Sequence, residues 1–462
     1  MTSKAPPLGI LAQTRLASTI LWSRPVVLTI IDAVGRSAAQ PTRDPLARAL
    51  ALEGSFEFLR RPGLWLWLLL TVGVVLRALL VVFTQGTYDA LIWQALAEGI
   101  HTRGLLEQYR LSAALNHPPL AAWLATGLLK LSVVTGIPFR VLFRAPTALV
   151  DLGSAALLCG ILRGNRYRWL ATGLYAVHPV ALILSAYHGN TDSVIAFFLL
   201  LCVWSASAGR PVMTGCLLGM SLWIKLPGIL AAPALGFAFP RWRDRLAFGA
   251  GVLVAGVLTY LPLLIVDPEI MFRRVISYQG LVILTSAGVR IWGLQNFLYL
   301  TGVLPDMWQG RIASAVEWWF GHSTLVVLVP LVIFAWLRRR TREAIELGAT
   351  LAGCYAIVYA LSNFWSFQYL AWSVPLWFLA GGGFALGATV TAGAYLYAVY
   401  AFVCESPFLL GPWDFNGHPQ WPWYLELMRD CAVLFFAAAS LVFLWSAVRD
   451  EWRSRLPPGA AP

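Results

Sequence analysis

A carboxylate stands directly after the first long apolar stretch of the chain. Asp89 ends the segment Gly86–Asp89, which follows the apolar stretch near residues 62–83 and opens a predicted helix. A carboxylate at a membrane surface can act as a general base toward a hydroxyl group. Aspartate is equally favoured as a helix N-cap, so position alone leaves both roles open for Asp89.

Polar residues gather again in the segment Tyr187–Ser193, between two apolar stretches. A plain turn requires only residues such as Gly and Asn. His188 and Asp192, on either side of Asn190, exceed that requirement, and polar side chains at membrane depth are costly enough to indicate a function. We therefore predict that these three residues bind a ligand, with a simple turn as the alternative.

Two further candidates adjoin prolines. His117 precedes Pro118 and Pro119, which favour a rigid helix start whether or not His117 contacts a ligand. Lys225 lies between apolar runs, where a lysine must snorkel, pair or bind an anion. Pro227 interrupts the helix beside it, so the Lys225 ammonium can reach a polar cavity, and an anionic lipid headgroup is its natural partner.

The remaining candidates lie in later polar stretches. Arg290 stands in the long stretch 267–321 beside Trp292, and an arginine holds phosphate through two parallel hydrogen bonds. Gln368 and Tyr369 enter an apolar segment and can hydrogen-bond a ligand. Interfacial anchoring is the alternative for the aromatic residues, and it is the better account of most of the 22 tryptophans.

The composition decides which kind of fold positions these residues. Of 462 residues, 59% are hydrophobic and 12% are charged, where a soluble domain has roughly 25% charged residues. These values exclude a soluble enzyme and a disordered chain. The net charge of +12 does not by itself indicate nucleic-acid binding, which would need a basic footprint of clustered Lys and Arg. Continuous apolar runs predict an all-α integral membrane protein.

The basic short loops predict the topology. If every apolar segment crosses the membrane, these loops fall on both sides of it, against the positive-inside rule. They share the cytoplasmic side if 118–136, which is short and carries Lys130, lies on the outer surface. We therefore expect about twelve transmembrane helices, both termini in the cytoplasm and surface helices in a long first outer loop. The apolar segments lie near residues 62–83, 118–136, 143–162, 167–185, 191–208, 212–226, 227–240, 246–266, 322–337, 343–362, 367–382, 385–404 and 429–448.

This topology places the candidate residues on one face. The long loops 84–142 and 267–321 fall on the non-cytoplasmic side of a plasma membrane, together with the turns that hold the other candidates. The predicted organisation is a basic cytoplasmic or interfacial arm at 1–61, a membrane catalytic region at 62–382, and C-terminal transmembrane helices with a cytoplasmic tail at 383–462.

Two charges inside predicted spans have a structural explanation. Arg77 and Asp151 lie at similar depths, about 10 to 12 Å below the outer ends of their helices at 1.5 Å per residue. Pairing is the usual fate of charges inside the membrane. We therefore predict an ion pair between Arg77 and Asp151.

In several of these motifs the chain resembles the GT-C superfold glycosyltransferases, integral membrane enzymes that use polyprenyl-phosphate sugars. It resembles the bacterial mannosyltransferase-like members most. The resemblance covers roughly residues 62–382. It rests on motifs that occur in the family's order, namely Gly86–Asp89, Asn116–Leu120, Tyr187–Ser193, Trp223–Pro227 and Ser366–Trp372.

The resemblance implies roles for several positions. An acidic residue of the first outer loop is the family's catalytic base, and Asp89 occupies that place. The later outer loops form the donor groove, where Lys225, Arg290 and Gln368 would meet phosphate and sugar. The family's usual pair of acids is absent, since Tyr88 precedes Asp89. We therefore assign no metal ligand and no cofactor, although a divalent metal stays open.

The expected activity is an inverting hexose transfer, with mannose favoured, from a polyprenyl-phosphate donor. The acceptor is a hydroxyl of a lipid-linked glycan, a glycolipid or a surface polymer on the outer face. A transporter, such as a flippase for lipid-linked oligosaccharides, is the alternative. A transporter would favour internal repeats and a polar path through the membrane midplane, and the sequence shows neither. A non-catalytic scaffold is a third possibility. The hexose, the linkage, the acceptor and the oligomeric state stay open.

Overall fold

The computed structural model describes residues 62–277, 292–294, 306–362, 366–415, 417–418 and 421–455. All regular elements in these ranges are helical. In the first half of the chain they are α1 (Leu64–Phe83), α2 (Tyr88–Arg103), α3 (Leu105–Leu111), α4 (Pro119–Thr135), α5 (Phe139–Ile161), α6 (Arg168–Ala176), α7 (Pro179–Leu182, continued as a π-helix Ile183–His188), α8 (Asp192–Ser207), α9 (Pro211–Ser221), a 3₁₀ helix (Leu226–Ala231) and α10 (Ala232–Ala238).

The second half contains α11 (Trp242–Leu258), α12 (Leu261–Val266), α13 (Pro268–Met271, continued as a π-helix Phe272–Ile276), α14 (Asp306–Gly321), α15 (Ser323–Leu337), α16 (Ala344–Leu361), a 3₁₀ helix (Phe367–Ser373), α17 (Val374–Ala380), α18 (Gly382–Ala388, continued as a π-helix Thr389–Gly393), α19 (Ala394–Val403) and α20 (Trp423–Arg453).

Five of the described elements are long and apolar enough to cross a membrane. They are α1, α5, α16, the continuous helix Gly382–Val403 and α20. The pair α6–α7 adds a sixth if its two halves, bent by 43°, form one span. Pro179 explains this bend, since proline cannot donate a hydrogen bond to the preceding turn. The part of the chain that the structure describes is thus all-helical, with several membrane-length helices.

The expected count of about twelve spans stays a prediction. Other apolar segments form helices that are too short for a simple crossing, among them α8 with 16 residues and α15 with 15 residues. Prolines and glycines interrupt the apolar runs and shorten the helices, as Pro227 does after α9. The arm at 1–61 lies outside the described residues.

Helices α2, α3 and α4 form the connection between the first two membrane-length helices and share a small core with residues 260–275. Trp93, Tyr109 and Phe143 are buried there beside Met271. Arg110 holds Asp267 at 2.8 Å, and the Arg274 guanidinium donates to the Tyr109 carbonyl at 3.1 Å. The segments predicted to be two outer loops are therefore in direct contact.

Glycines allow α9 and α11 to pack closely. A Cβ atom on Gly215 would lie 2.1 Å from the Phe248 carbonyl oxygen, and one on Gly219 would lie 2.7 Å from the Gly256 nitrogen. Small residues four apart in this way let helix backbones approach directly in apolar surroundings. The main core extends from α5 to α20, so the helices after residue 382 belong to the same packed unit.

The predicted pairing of Arg77 with Asp151 is confirmed. Arg77 Nη2 lies 2.5 Å and Nε 3.1 Å from Asp151 Oδ2, and both side chains are buried. The hydroxyls of Tyr175 and Ser185 also donate to the Asp151 carboxylate, at 2.5 and 3.2 Å. The remaining Arg77 donors reach the carbonyls of Gly73 and Ala176, so the buried network is hydrogen-bonded throughout.

Removing one partner of this pair leaves an unpaired buried charge, so Arg77→Ala and Asp151→Asn should each destabilise the protein by roughly 3–5 kcal/mol. The double variant Arg77→Met/Asp151→Leu should lose less than either single variant, because it leaves neither charge behind. Thermal unfolding in detergent measures the relative stability of the three variants. A double variant less stable than both single variants would contradict this account of the pair.

Candidate functional site

Asp89 is positioned by the turn that connects α1 to α2. Gly86 adopts φ +76°, a left-handed conformation that favours glycine, and the chain then enters α2 at Tyr88. The N-cap of α2 is Thr87, whereas Asp89 lies within the first turn. The alternative role of Asp89 as the N-cap is therefore wrong. Its side chain turns toward the segment Tyr187–Ser193 instead.

The Asp89 carboxylate is held through one of its two oxygens. His188 Nε2 lies 2.8 Å from Asp89 Oδ2, and Asn190 Nδ2 donates to the same oxygen at 3.2 Å. Oδ1 accepts no hydrogen bond from the described part of the chain, and the Asp89 side chain is 36% exposed. The arrangement fixes the carboxylate and leaves one oxygen open to a ligand.

His188 is oriented by a residue of a C-terminal helix. Its Nδ1 hydrogen-bonds the hydroxyl of Tyr400, on α19. The Nε2–H can donate to Asp89 in either protonation state, while the Tyr400 hydroxyl donates to Nδ1 of a neutral ring or accepts from the Nδ1–H of a charged one. Tyr400 could not be singled out from the sequence, because it is one of 15 tyrosines and stands in an apolar run.

The pKa of Asp89 lies below its ordinary value of 3.8. Burial of the carboxylate raises the pKa, but the positive charge of His188, its hydrogen bond and the charge of Lys225 together outweigh burial. Asp89 is therefore ionised across the physiological pH range. An ionised carboxylate with a free oxygen can accept a proton from a nearby hydroxyl.

Asp192 and Lys225 form the second part of the site. Lys225 Nζ lies 2.8 Å from Asp192 Oδ2, and the indole of Trp372 donates to Asp192 Oδ1. Asp192 is fully buried, whereas Lys225 is 15% exposed. Any contact of this pair with a ligand therefore runs through the Lys225 ammonium.

Tyr369 and Asn190 complete this cluster. The Lys225 ammonium lies 5.3 Å from the centre of the Tyr369 ring, which stacks on Trp372 at 4.4 Å. Asn190 Oδ1 accepts from the Asp192 backbone N–H at 3.3 Å and so joins the Asp89 and Lys225 parts. Six residues singled out from the sequence thus meet in one place, and we call them the Asp89–Lys225 cluster: Asp89, His188, Asn190, Asp192, Lys225 and Tyr369.

His117 lies close to this cluster. Its ring packs edge-on against Trp93 at 4.9 Å, and its Nδ1 is buried without a hydrogen-bond partner in the described ranges. Burial and the nearby charge of Lys225 lower the pKa of His117 to about 3, against the opposing effect of Asp89. His117 is therefore a neutral imidazole with an unsatisfied nitrogen.

The remaining two sequence candidates are Gln368 and Arg290. Gln368 bonds the hydroxyl of Ser366, two residues away, and makes no hydrogen bond to the cluster within the described ranges. Arg290 lies outside the described residues. Its neighbour Trp292 is 1% exposed and donates to the Tyr359 carbonyl at 2.7 Å, so that tryptophan packs in the core.

Arg144 is a structural residue that the sequence analysis missed. This fully buried side chain donates to the carbonyls of Val81 and Thr84, both at 2.8 Å, and to the Tyr187 carbonyl at 3.1 Å. It therefore joins the end of α1 to the segment that carries His188. Its position within an apolar run did not distinguish it from other arginines, because its partners are backbone carbonyls.

No group of three or more His, Cys, Asp or Glu side chains in the described ranges is arranged to hold a metal ion.

Gly189→Ala should disturb the site through Arg144. Gly189 adopts φ +71°, and an added Cβ would lie 2.2 Å from Arg144 Cγ. Strain and clash together should cost roughly 2 kcal/mol or more of unfolding free energy. The matched control is Gly127→Ala in α4, where an added Cβ meets no atom within 4 Å. Equal thermal unfolding of the two variants would contradict the role of Gly189.

Comparison with known protein families finds a match in the middle of the chain. The family model described as Glycosyltransferase family 87 matches residues 115–362, more than half of the chain. The matched segment includes His117, His188 and Lys225, whereas Asp89 and Tyr400 lie outside it. No curated protein matches the chain in sequence. The chain belongs to glycosyltransferase family 87, and it is a membrane glycosyltransferase.

Proposed function

We propose that the protein transfers a hexose, with mannose favoured, from a polyprenyl-phosphate donor to a hydroxyl group with inversion at the anomeric carbon. The acceptor is a lipid-linked glycan, a glycolipid or a surface polymer. The observation that carries the proposal is the Asp89 carboxylate, which His188 and Asn190 hold through Oδ2 while Oδ1 stays open. This geometry suits a general base that receives a proton from an entering hydroxyl.

In the proposed step, the acceptor oxygen attacks C1 of the sugar from the face opposite the phosphate. The new C–O bond forms as the bond between C1 and the phosphate oxygen breaks. The hydroxyl proton passes to Asp89 Oδ1, and polyprenyl phosphate leaves with the bonding electron pair. General-base assistance of this kind contributes about 10²–10⁴-fold to the rate.

Lys225 is the described residue best suited to the leaving phosphate. Its ammonium has three donors, of which Asp192 takes one, and its side chain remains partly exposed. The buried Asp192 and Trp372 hold Lys225 in place. We include Arg290 as a second cation for the phosphate, on the strength of the sequence alone. A fixed positive charge stabilises the leaving group most where water is scarce.

His117 and Gln368 are proposed to recognise the sugar. A neutral His117 with an unsatisfied Nδ1 can accept a hydrogen bond from a sugar hydroxyl. A sugar without that hydroxyl would leave the buried His117 nitrogen without a hydrogen bond, so the contact favours the correct substrate. Gln368 precedes Tyr369 of the cluster in the chain and carries both donor and acceptor groups.

The proposed setting is the plasma membrane, with both termini in the cytoplasm and the site on the outer face. The basic short loops support this orientation through the positive-inside rule. A lipid-phosphate donor also suits a chain without a nucleotide-binding phosphate loop. Membership in a glycosyltransferase family favours sugar transfer over the alternative of a transporter or flippase.

Asp89→Asn should abolish most transfer, with a loss of about 10²–10⁴-fold in kcat, since an amide cannot take up the proton. The matched control is Glu98→Gln on the same helix, an exposed acid that bonds only Gln94 among the described residues. The measurement is sugar transfer by the purified protein with a radiolabelled polyprenyl-phosphate mannose donor. Near-normal turnover by Asp89→Asn would remove Asp89 from the role of base.

His188→Gln should shift the acidic limb of the pH–rate profile toward higher pH. The base must be ionised, so the rate falls as the pH drops through the pKa of Asp89. The His188 charge and hydrogen bond oppose the effect of burial and hold this pKa low. Without them the pKa rises, and the rate declines at a higher pH than in the wild type. An acidic limb that stays in place would show that His188 does not control Asp89.

A further inference from the structure

A cavity lies at the end of the helical bundle opposite the Asp89–Lys225 cluster. Its volume is about 470 Å³, and its lining includes Leu162, just after α5, and Asp450, near the end of α20. Arg144, near the beginning of α5, contacts the Asp89 side of the molecule, so the end of α5 points away from it. Tyr400 likewise stands at the far end of the helix that begins at Gly382, a cavity residue. The cavity is therefore separate from the Asp89–Lys225 cluster.

The wall of the cavity is mainly apolar and includes lipid-facing positions. Leu174 and Leu386 line it while being 44% and 53% exposed on the outside of the bundle. Leu170, Ala349 and Phe378 continue the wall inward. An opening bordered by exposed leucines on membrane-length helices admits a hydrocarbon chain from the bilayer.

The cavity is long enough for part of a lipid chain. Its lining includes the partly exposed Tyr167 toward the surface and the buried His178 toward the interior. At 1.5 Å per residue, the helix between them covers about 16 Å. His178 Nε2 hydrogen-bonds Thr389 Oγ1 at 2.9 Å where Pro179 breaks the helix, so polar groups close the inner end. The apolar part of the cavity is therefore about 16 Å long.

The rim carries charges of both signs. Arg338 Nη1 donates to Asp450 Oδ2 at 3.0 Å, and Arg338 Nε contacts Thr350 Oγ1 at 3.5 Å. Its Nη2 makes no hydrogen bond within the described part of the chain. Glu346 lines the same rim, is exposed and has no side-chain partner in the described ranges. One arginine donor and a free carboxylate remain available together.

We propose that this cavity binds an aminophospholipid, a membrane lipid whose headgroup carries both a phosphate and a primary ammonium. One chain of the lipid occupies the apolar cavity. Its phosphate accepts from Arg338 Nη2, and its ammonium donates to Glu346 and Asp450. A purely anionic headgroup leaves Glu346 unpaired and repelled, and a quaternary ammonium has no N–H to donate to a carboxylate. The headgroup chemistry therefore selects the primary amine.

The test measures lipid retention by the full-length protein. Protein purified in mild detergent is mixed with equal amounts of dioleoyl-phosphatidylethanolamine, -phosphatidylglycerol and -phosphatidylcholine, and native mass spectrometry counts what stays bound. We expect phosphatidylethanolamine to be retained about tenfold over each of the others, as the gain of one charged hydrogen bond allows. Equal retention of the three lipids, or preference for another lipid, would overturn the headgroup assignment.

Two variants locate the site. Ala349→Phe fills the cavity and should abolish the preference, whereas Ala438→Phe, at an exposed position on α20 outside the cavity, should keep it. Glu346→Gln should lower retention of phosphatidylethanolamine about tenfold. Its control is Glu343→Gln, an exposed acid of the same region that does not line the cavity. Wild-type retention by both Ala349→Phe and Glu346→Gln would show that the lipid binds elsewhere.

Discussion

A buried charge in an apolar helical bundle has to be paired or hydrogen-bonded, and the geometry of this protein depends on that constraint. Arg77 forms an ion pair with Asp151, and Lys225 forms one with Asp192. Arg144 donates hydrogen bonds to backbone carbonyls. Each contact joins elements distant in sequence, so the charges fix how the helices assemble. Asp89 differs from these groups because only one of its oxygens is engaged by the described residues.

The incomplete pairing of Asp89 separates a functional group from a structural one. Asp151 receives four hydrogen bonds within a closed network, which leaves nothing for a ligand. Asp192 is fully buried, and both its oxygens are engaged. Asp89 is also a carboxylate, but its side chain is 36% exposed and its Oδ1 accepts no hydrogen bond from the described residues. Gly86 and Gly189, both in left-handed backbone conformations that favour glycine, lie in the turns that bring the elements around it together.

Much of this arrangement could be predicted from the sequence, because the physical rules involved act on single residues and on short stretches of the chain. Composition and apolar runs predict helices in a membrane, and the cost of polar groups there marks Asp89, His188, Asn190, Asp192 and Lys225. The pairing of Arg77 with Asp151 followed from their similar depths. Tyr400 and Arg144 could not be found in this way, because their roles depend on contacts across more than 40 residues. The number of membrane-spanning helices stays a prediction. Helix breaks divide the apolar runs into short helices, and the sequence does not indicate which of these cross the membrane.

The contribution of the C-terminal helices explains why sequence similarity alone describes the site incompletely. The family match ends at residue 362, yet Tyr400 fixes the imidazole that holds Asp89, and Trp372 anchors the carboxylate that holds Lys225. A hydroxyl or an indole N–H can be supplied by any helix that reaches the same point in space. The acid and its immediate partners therefore depend on side chains from the first loop, from the broken helix pair and from the last third of the chain. The reacting groups can be placed only when all three segments pack in one core.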